Sequence, residues 1–176
     1  MIEIARFDAN AAELHLAALT ELLIDAVDSG ASVGFVPPLA PADAETYWRG
    51  VVGAVRDGAR VLLAAVEDGR VQGSVQLALE LRANGDHRAE VMKLFVHRRA
   101  RKRGLARALI TEAERAAHAL GRTLLTMDTR QGGDAERLCV ALGWRKFGEL
   151  PRYARSADGT LHTTCFYSKE LGDGLR

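Results

Sequence analysis

The stretch that decides the reading is EVMKLFVHRRARKRGLARALITEAE, residues 90–114. Glu90–Val96 reads as a strand. A basic loop, Arg101-Lys102-Arg103, leads into a helix that begins near Gly104. Leu105, Leu109, Ala113, Ala116 and Leu120 share one face of that helix, and Gly121 ends it. A helix start carries unsatisfied amides and a partial positive charge, which suits phosphate. Gly104 lets the backbone come close to a ligand, and the small Ala106 keeps the next position clear. Arg101, Lys102, Arg103 and Arg107 add charge beside those amides. Together these are the parts of a pyrophosphate cradle. A solvated basic loop capping a helix has the same composition, and a nucleic-acid patch is a third option, though it lacks interleaved aromatics. The stretch has neither the Gly-Lys-Ser/Thr ending of a Walker loop nor a GxGxxG turn.

Upstream, Ile2-Glu3-Ile4-Ala5-Arg6-Phe7 alternates as a strand does. Leu14, Leu19, Leu22, Leu23, Ala26 and Val27 recur at helical spacing up to Gly30. Gly30–Pro41 is a loop with three prolines, and a second helix runs from about Pro41 to Gly58. Val61–Val66 is a buried strand, Glu67-Asp68-Gly69-Arg70 a turn, Val71–Leu81 a strand and Asn84-Gly85 another turn. Downstream, Leu124–Asp128 is a strand and Ala135–Leu142 a short helix stopped at Gly143. Phe147–Leu150 and Leu161–Tyr167 are strands around the Asp158-Gly159 turn. Antiparallel hairpins thus give way to a strand–helix–strand crossover, which makes a right-handed parallel pair. The expected fold is mixed α/β: one domain over residues 1–176, with a central, mostly antiparallel sheet, one parallel strand pair and about four flanking helices.

The bulk numbers agree. A chain of 176 residues fits a single domain of ~100–200. Twenty-four Lys+Arg against 23 Asp+Glu leave a net charge of +1, so nothing in the total demands nucleic acid or an anionic membrane. The N-terminus has an acid at Glu3 and no apolar run, unlike a secretory signal. The longest aliphatic run, Val61–Val66, falls far below the ~20 residues of a membrane span. Cys139 and Cys165 are too few for a disulfide framework or a four-cysteine zinc site. A cytoplasmic protein is the expectation.

The resemblance is more specific than the composition. Arg101-Lys102-Arg103-Gly104-Leu105-Ala106 matches Gln/Arg-x-x-Gly-x-Gly/Ala and follows a strand ending Leu94-Phe95-Val96. In this, and in element order over nearly its whole length, the chain resembles the GNAT superfamily of N-acetyltransferases. A closer likeness, to the tabtoxin-resistance subgroup, rests on Gly30-Ala31-Ser32-Val33-Gly34-Phe35 and on Ala89-Glu90-Val91 with Lys93-Leu94. It also rests on Gly148-Glu149-Leu150-Pro151, and on Asp158-Gly159 followed by Leu161-His162. The resemblance implies a GNAT-like domain using acetyl-CoA as cosubstrate. Amides from Lys102 through Arg107 would hold the coenzyme A pyrophosphate, with Arg101 beside them. The backbone of Leu94, Phe95 and Val96 would pair with the pantetheine arm as an added strand. An amide near Phe95 or Val96 would polarise the thioester carbonyl, a contribution on the order of 2.7–4 kcal/mol when preorganised.

Acetyl transfer to an amine also needs a base, because an amine of pKa ~10.4 is mostly protonated at neutral pH. Glu90 and Asp128 are the candidates; an ion pair with Lys93 or an arginine is the alternative for each. Strict alternation puts Glu90, Met92 and Leu94 on one strand face and Lys93 on the other. Family members commonly place a proton-donating tyrosine in the helix after the fifth strand, and Cys139 stands there instead. A thiol of pKa ~8.5 has a proton to give, but a shorter reach. Tyr153, Tyr167 or water are the alternatives. Gly133-Asp134 replaces the family's usual asparagine before that helix. Ser32 and Phe35, with Tyr47 and Trp48, are candidates to line the acceptor pocket, where Lys93 and Asp128 would anchor a carboxylate and an amine. The expected acceptor is a primary amine on a small, amino-acid-like or toxin/antibiotic molecule. A peptide N-terminus or lysine, or a non-catalytic acetyl-CoA-binding module, stays open. No metal, nucleic acid or membrane is expected as a partner, and a homodimer stays open.

Overall fold

Alternating and fully apolar runs form the sheet of the computed structural model, which describes residues 2–172. β1 (Ile2–Phe7), β2 (Arg60–Glu67), β3 (Arg70–Leu79) and β4 (Arg88–Val96) pair in sequence as antiparallel neighbours. β5 (Leu124–Arg130) lies parallel to β4, and β7 (Leu161–Glu170) inserts between β5 and β6 (Arg145–Arg155). The order is β1-β2-β3-β4-β5-β7-β6, with β4–β5 as the parallel pair. The central β2 and β3 are buried on both faces, as the run Val-Leu-Leu-Ala-Ala-Val requires.

Helices cover both faces. α4 (Leu105–Ala119) lays Leu105, Leu109, Ile110, Ala113 and Ala117 against Leu63, Val75, Leu77 and Val91. The buried stripe ends on Ala117; Ala116 is only partly covered and Leu120 is exposed. The other face carries α2 (Leu16–Asp28) and α3 (Pro41–Arg56), which bury Leu19, Leu22, Leu23, Trp48 and Val52 against Leu62 and Ala64. Full burial of one such side chain is worth roughly 1.5–3 kcal/mol, so these two clusters hold the sheet between its layers.

Several element boundaries differ by a few residues from the sequence expectation, and two of the differences have a clear packing cause. The first helical run is two helices, α1 (Ala9–Leu14) and α2, broken at His15, so among the described residues five helices flank the sheet. Asp8 caps α1 through the Ala11 amide at 2.7 Å, and the His15 ring stacks on Phe7 of β1, 4.9 Å between centroids. That stack holds the chain where α2 turns onto the sheet. β6 continues through Pro151 to Arg155. It can do so because it is an edge strand whose register skips from Leu150 to Ala154, so proline costs no ladder bond.

Candidate active site

β4 and β5 pair only over Arg88–Glu90 and Leu124–Thr126, although both strands run on beyond them. β4 stays hydrogen-bonded to β3 as far as Val96, and β5 to β7 as far as Arg130. A wedge therefore opens past Glu90, bordered by the β4 edge Met92–Val96. That edge can take an extended ligand arm as another strand would, with the Val96 carbonyl already accepting from Arg101.

The β4 edge is shaped by a bulge. Ser74 pairs with Phe95 but Gln76 with Met92, so β4 has one residue more than β3, and Lys93 takes φ +54°. Facing is inverted across it. Ala89 and Val91 pack on the α4 side, as do Leu94 and Val96 after the bulge. Phe95 turns to the opposite cluster, edge-on to Trp48 at 6.2 Å. The alternation expected from sequence, with Leu94 beside Glu90, is thus corrected. Gly73 makes room for this: a Cβ there would stand 2.7 Å from the Phe95 carbonyl oxygen.

At the far end of β4 lies the cradle. A single 3-10 turn, Arg98–Ala100, leads to Lys102 (φ +60°) and Gly104 (φ +81°), both left-handed, and then to the first turn of α4. Left-handed residues before a helix N-terminus turn successive amides to one side, forming an anion-binding nest. The space where a Gly104 side chain would project is open for at least 4 Å. Lys102 and Arg107 are exposed there. Arg103 is instead drawn to Glu67 on β2 through bonds of 2.9 and 2.6 Å, and Arg101 donates to the Val96 carbonyl at 3.1 Å. Leu105 is buried in the α4 core, so it offers only its amide, and Ala106 is half-buried.

On the α2–α3 side of the wedge stand two acids and a lysine. Glu90 is half-buried on β4, and burial first, then the charge of Asp128, raises its carboxyl above the usual range. Asp128 is exposed on β5. Lys93 donates to the Val33 carbonyl at 2.6 Å and lies 5.8 Å over the Phe35 ring. Burial lowers its pKa, while Asp128 and Glu90 oppose the fall. Ser32 is exposed in the same loop. Among the described residues no group of His, Cys, Asp or Glu converges as a metal site, and no helix is long and apolar enough to cross a membrane.

Residues 18–144 match the acetyltransferase (GNAT) family. The chain belongs to the GNAT family. An N-acetyltransferase from the hisH-hisA intergenic region of Azospirillum brasilense is 38% identical over 109 residues. That match takes in 61% of this chain and 63% of the relative, so the chain spans just under two thirds of it. Among solved structures, the ribosomal-protein-alanine N-acetyltransferase of Brucella melitensis superposes with a TM-score of 0.80 at 23% identity, over 96% of this chain and 99% of that one. YncA of Salmonella typhimurium, solved with its cofactor acetyl-CoA, has a TM-score of 0.78 at 19% identity over 98% and 95%. At such identities these structures share the GNAT fold with this chain.

Within the GNAT frame, Cys139 does not fit the expected proton donor. It lies on α5 (Asp134–Ala141), is 0% exposed and contacts the Met127 sulfur at 2.9 Å. Burial pushes its thiol up to about 12. The small Cys139 side chain is absorbed into the core under β5. Tyr167 is also buried, donating to Glu136 at 2.9 Å, while Tyr153 is exposed on β6, edge-on to Phe166 at 5.6 Å. Trp48 is core and lines no cleft. The residues that sequence reading missed are Arg60 and Gln76. Arg60 donates to the Gln76 side-chain oxygen at 2.8 Å, and Gln76 donates to the Tyr47 hydroxyl at 3.0 Å. Since arginine can only donate, the Gln76 amide is fixed with its nitrogen toward Tyr47, leaving the Tyr47 proton to point elsewhere. The one signal was a glutamine amid the apolar run of β3.

Proposed function

We propose that this chain transfers the acetyl group of acetyl-CoA to the primary amine of a small, amino-acid-like acceptor, within a ternary complex. The observation that carries this reading is the half-buried Glu90, with Asp128 and Lys93, at the point where β4 and β5 part. Acetyl-CoA would supply the acetyl thioester: a C–N bond forms as the C–S bond breaks, coenzyme A leaves as thiolate, and the second proton lost by the acceptor nitrogen passes to that thiolate. The residues of the chain do the rest. The amides around Gly104, with Lys102 and Arg107, hold the pyrophosphate. The edge Leu94–Val96 aligns the pantetheine arm. Glu90, its pKa raised toward neutrality, takes the proton of the acceptor ammonium. Asp128 attracts that ammonium, and Lys93 faces the acceptor's anionic group.

The short Gly30–Phe35 loop closing on Lys93 supports the finer resemblance to the tabtoxin-resistance subgroup, and with it an amino-acid-like toxin or antibiotic as acceptor. A small-molecule partner rather than nucleic acid is supported by the basic run itself. Arg98, Arg99 and Arg103 are each held by an acid of this chain, Asp25, Glu21 and Glu67. Thiol release from acetyl-CoA, measured against the common L-amino acids and short peptides, tests the reading. Glu90→Gln is expected to lose turnover by about 10²–10⁴-fold while still binding CoA. Wild-type turnover confined to peptides would overturn the acceptor class, and an unimpaired Glu90→Gln would overturn the base.

A further inference from the structure

Between the strand that borders the wedge and the loop that forms the cradle lies a turn, residues 97–100, gripped from below by α2. Asp25 of α2 is a buried carboxylate. It accepts the Arg98 amide at 2.9 Å and the Arg98 guanidinium at 2.5 Å. His97 sits beside it, its Nε2 3.6 Å from Asp25 and 3.4 Å from Glu21. The other ring nitrogen accepts the Arg99 amide at 3.2 Å, so the neutral ring carries its proton on the side of these acids. β3 completes the grip: the Gln72 carbonyl accepts the His97 amide at 2.9 Å, and the Gln72 side chain accepts from Arg99 at 2.9 Å.

A buried carboxylate costs desolvation and persists where partners repay it. Here, among the described residues, the polar partners of the Asp25 carboxylate lie on one short turn, and Lys102 and Gly104 follow within a few residues. The turn therefore has a fixed floor, and the exposed Lys102 and Gly104 follow directly from it, with Arg103 tied to Glu67 and Leu105 buried beyond them. We infer that Asp25 is a positioning residue for the pyrophosphate loop, setting the amides of residues 102–107 through the Arg98 turn and thereby governing affinity for coenzyme A. This rests on the pyrophosphate reading of that loop. Asp25 touches no ligand itself; α2 supplies the anchor from the acceptor side of the sheet.

The test is calorimetric titration of CoA into the full chain and its variants. Asp25→Asn preserves shape and one acceptor oxygen for the Arg98 amide, while the Arg98 side chain, 57% exposed, can turn to water. It is expected to bind CoA about tenfold more weakly, because a charge-assisted bond is lost. Asp25→Ala should lose at least as much. Asp28→Asn, on the same helix, should bind as wild type. Pantetheine, which has the thiol arm but no pyrophosphate, followed by ligand-observed NMR, should bind Asp25→Asn and wild type alike. An Asp25→Asn protein that binds CoA as wild type does would overturn the inference. So would one that loses pantetheine in proportion, since that is a loosened fold rather than a moved loop. Absence of CoA binding to the wild type would instead overturn the underlying pyrophosphate reading, and would be visible before any variant is made.

Discussion

Replacing Gly104 separates the two things that residue does. Its φ of +81° is left-handed, and nothing stands within 4 Å of where a Cβ would go. Gly104→Ala therefore meets strain without collision, about 1–3 kcal/mol. At about 2–4 °C per kcal/mol for a chain of this size, the melting temperature falls by about 2–12 °C. The strain is present with and without ligand, so CoA affinity should stay within about threefold. Gly104→Glu carries the same strain and adds a negative charge among the amides proposed to hold pyrophosphate. A unit charge about 5 Å away costs about 0.8 kcal/mol at the dielectric of water and about 3.3 at an effective value of about 20. With about two charges on the ligand, binding weakens by about 1.7–6.6 kcal/mol, at least about fifteenfold. Calorimetry with CoA and a thermal melt read the two effects separately. A Gly104→Glu protein that binds as wild type would refute the cradle. A Gly104→Ala protein that loses binding as badly would show that backbone shape, not charge, decides.

Asp128→Asn should move the acid limb of the kcat/KM profile to lower pH. Glu90 must be deprotonated to act, so activity rises as pH passes its pKa, and removing the Asp128 charge lowers that pKa; a limb that stays put would count against Glu90 as base. Lys169→Ala strands Glu114, a carboxylate only 4% exposed that also accepts from Trp144 at 2.9 Å. The cost is about 3–5 kcal/mol, or about 10 °C in melting temperature, and an unchanged melt would contradict it. Gly73→Ala drives a methyl toward the Phe95 carbonyl and Leu109, which should cost about 1–3 kcal/mol and weaken acetyl-CoA binding by moving the β4 edge. Wild-type melting and binding in that variant would show the close approach to be slack. Cys139→Ala should keep kcat within about twofold, since the buried thiol reaches no ligand; a larger loss would restore its proton-donor role.

How much of this was written in the chain alone depends on how local each feature is. The helix after the basic loop and its glycine-marked end were legible, and so was the loop proposed as the cradle. Helical periodicity and an N-terminus preceded by glycine depend on a few adjacent residues. The parallel pair was legible too, because a strand–helix–strand crossover leaves little choice of geometry. Glu90 and Asp128 were legible as candidates from their types and strand positions. Their coupling and the half-burial of Glu90 were not.

The rest was decided by partners distant in sequence. Alternation along Glu90–Val96 holds only until an extra residue is accommodated. That bulge at Lys93 depends on β3, where Gly73 admits the Phe95 carbonyl. The break at His15 follows from a ring on β1, and the persistence of β6 through Pro151 from its place at the sheet edge. Cys139 could be aligned with a family tyrosine by position, yet only packing against Met127 showed that its thiol faces the core. Asp25, an ordinary acid in a helical run, has a role only because the fold sets the Arg98 turn upon it. Sequence determined which segments could form the site, since those preferences are local; tertiary contacts determined which side chains face it, since burial and register belong to pairs of segments rather than to either alone.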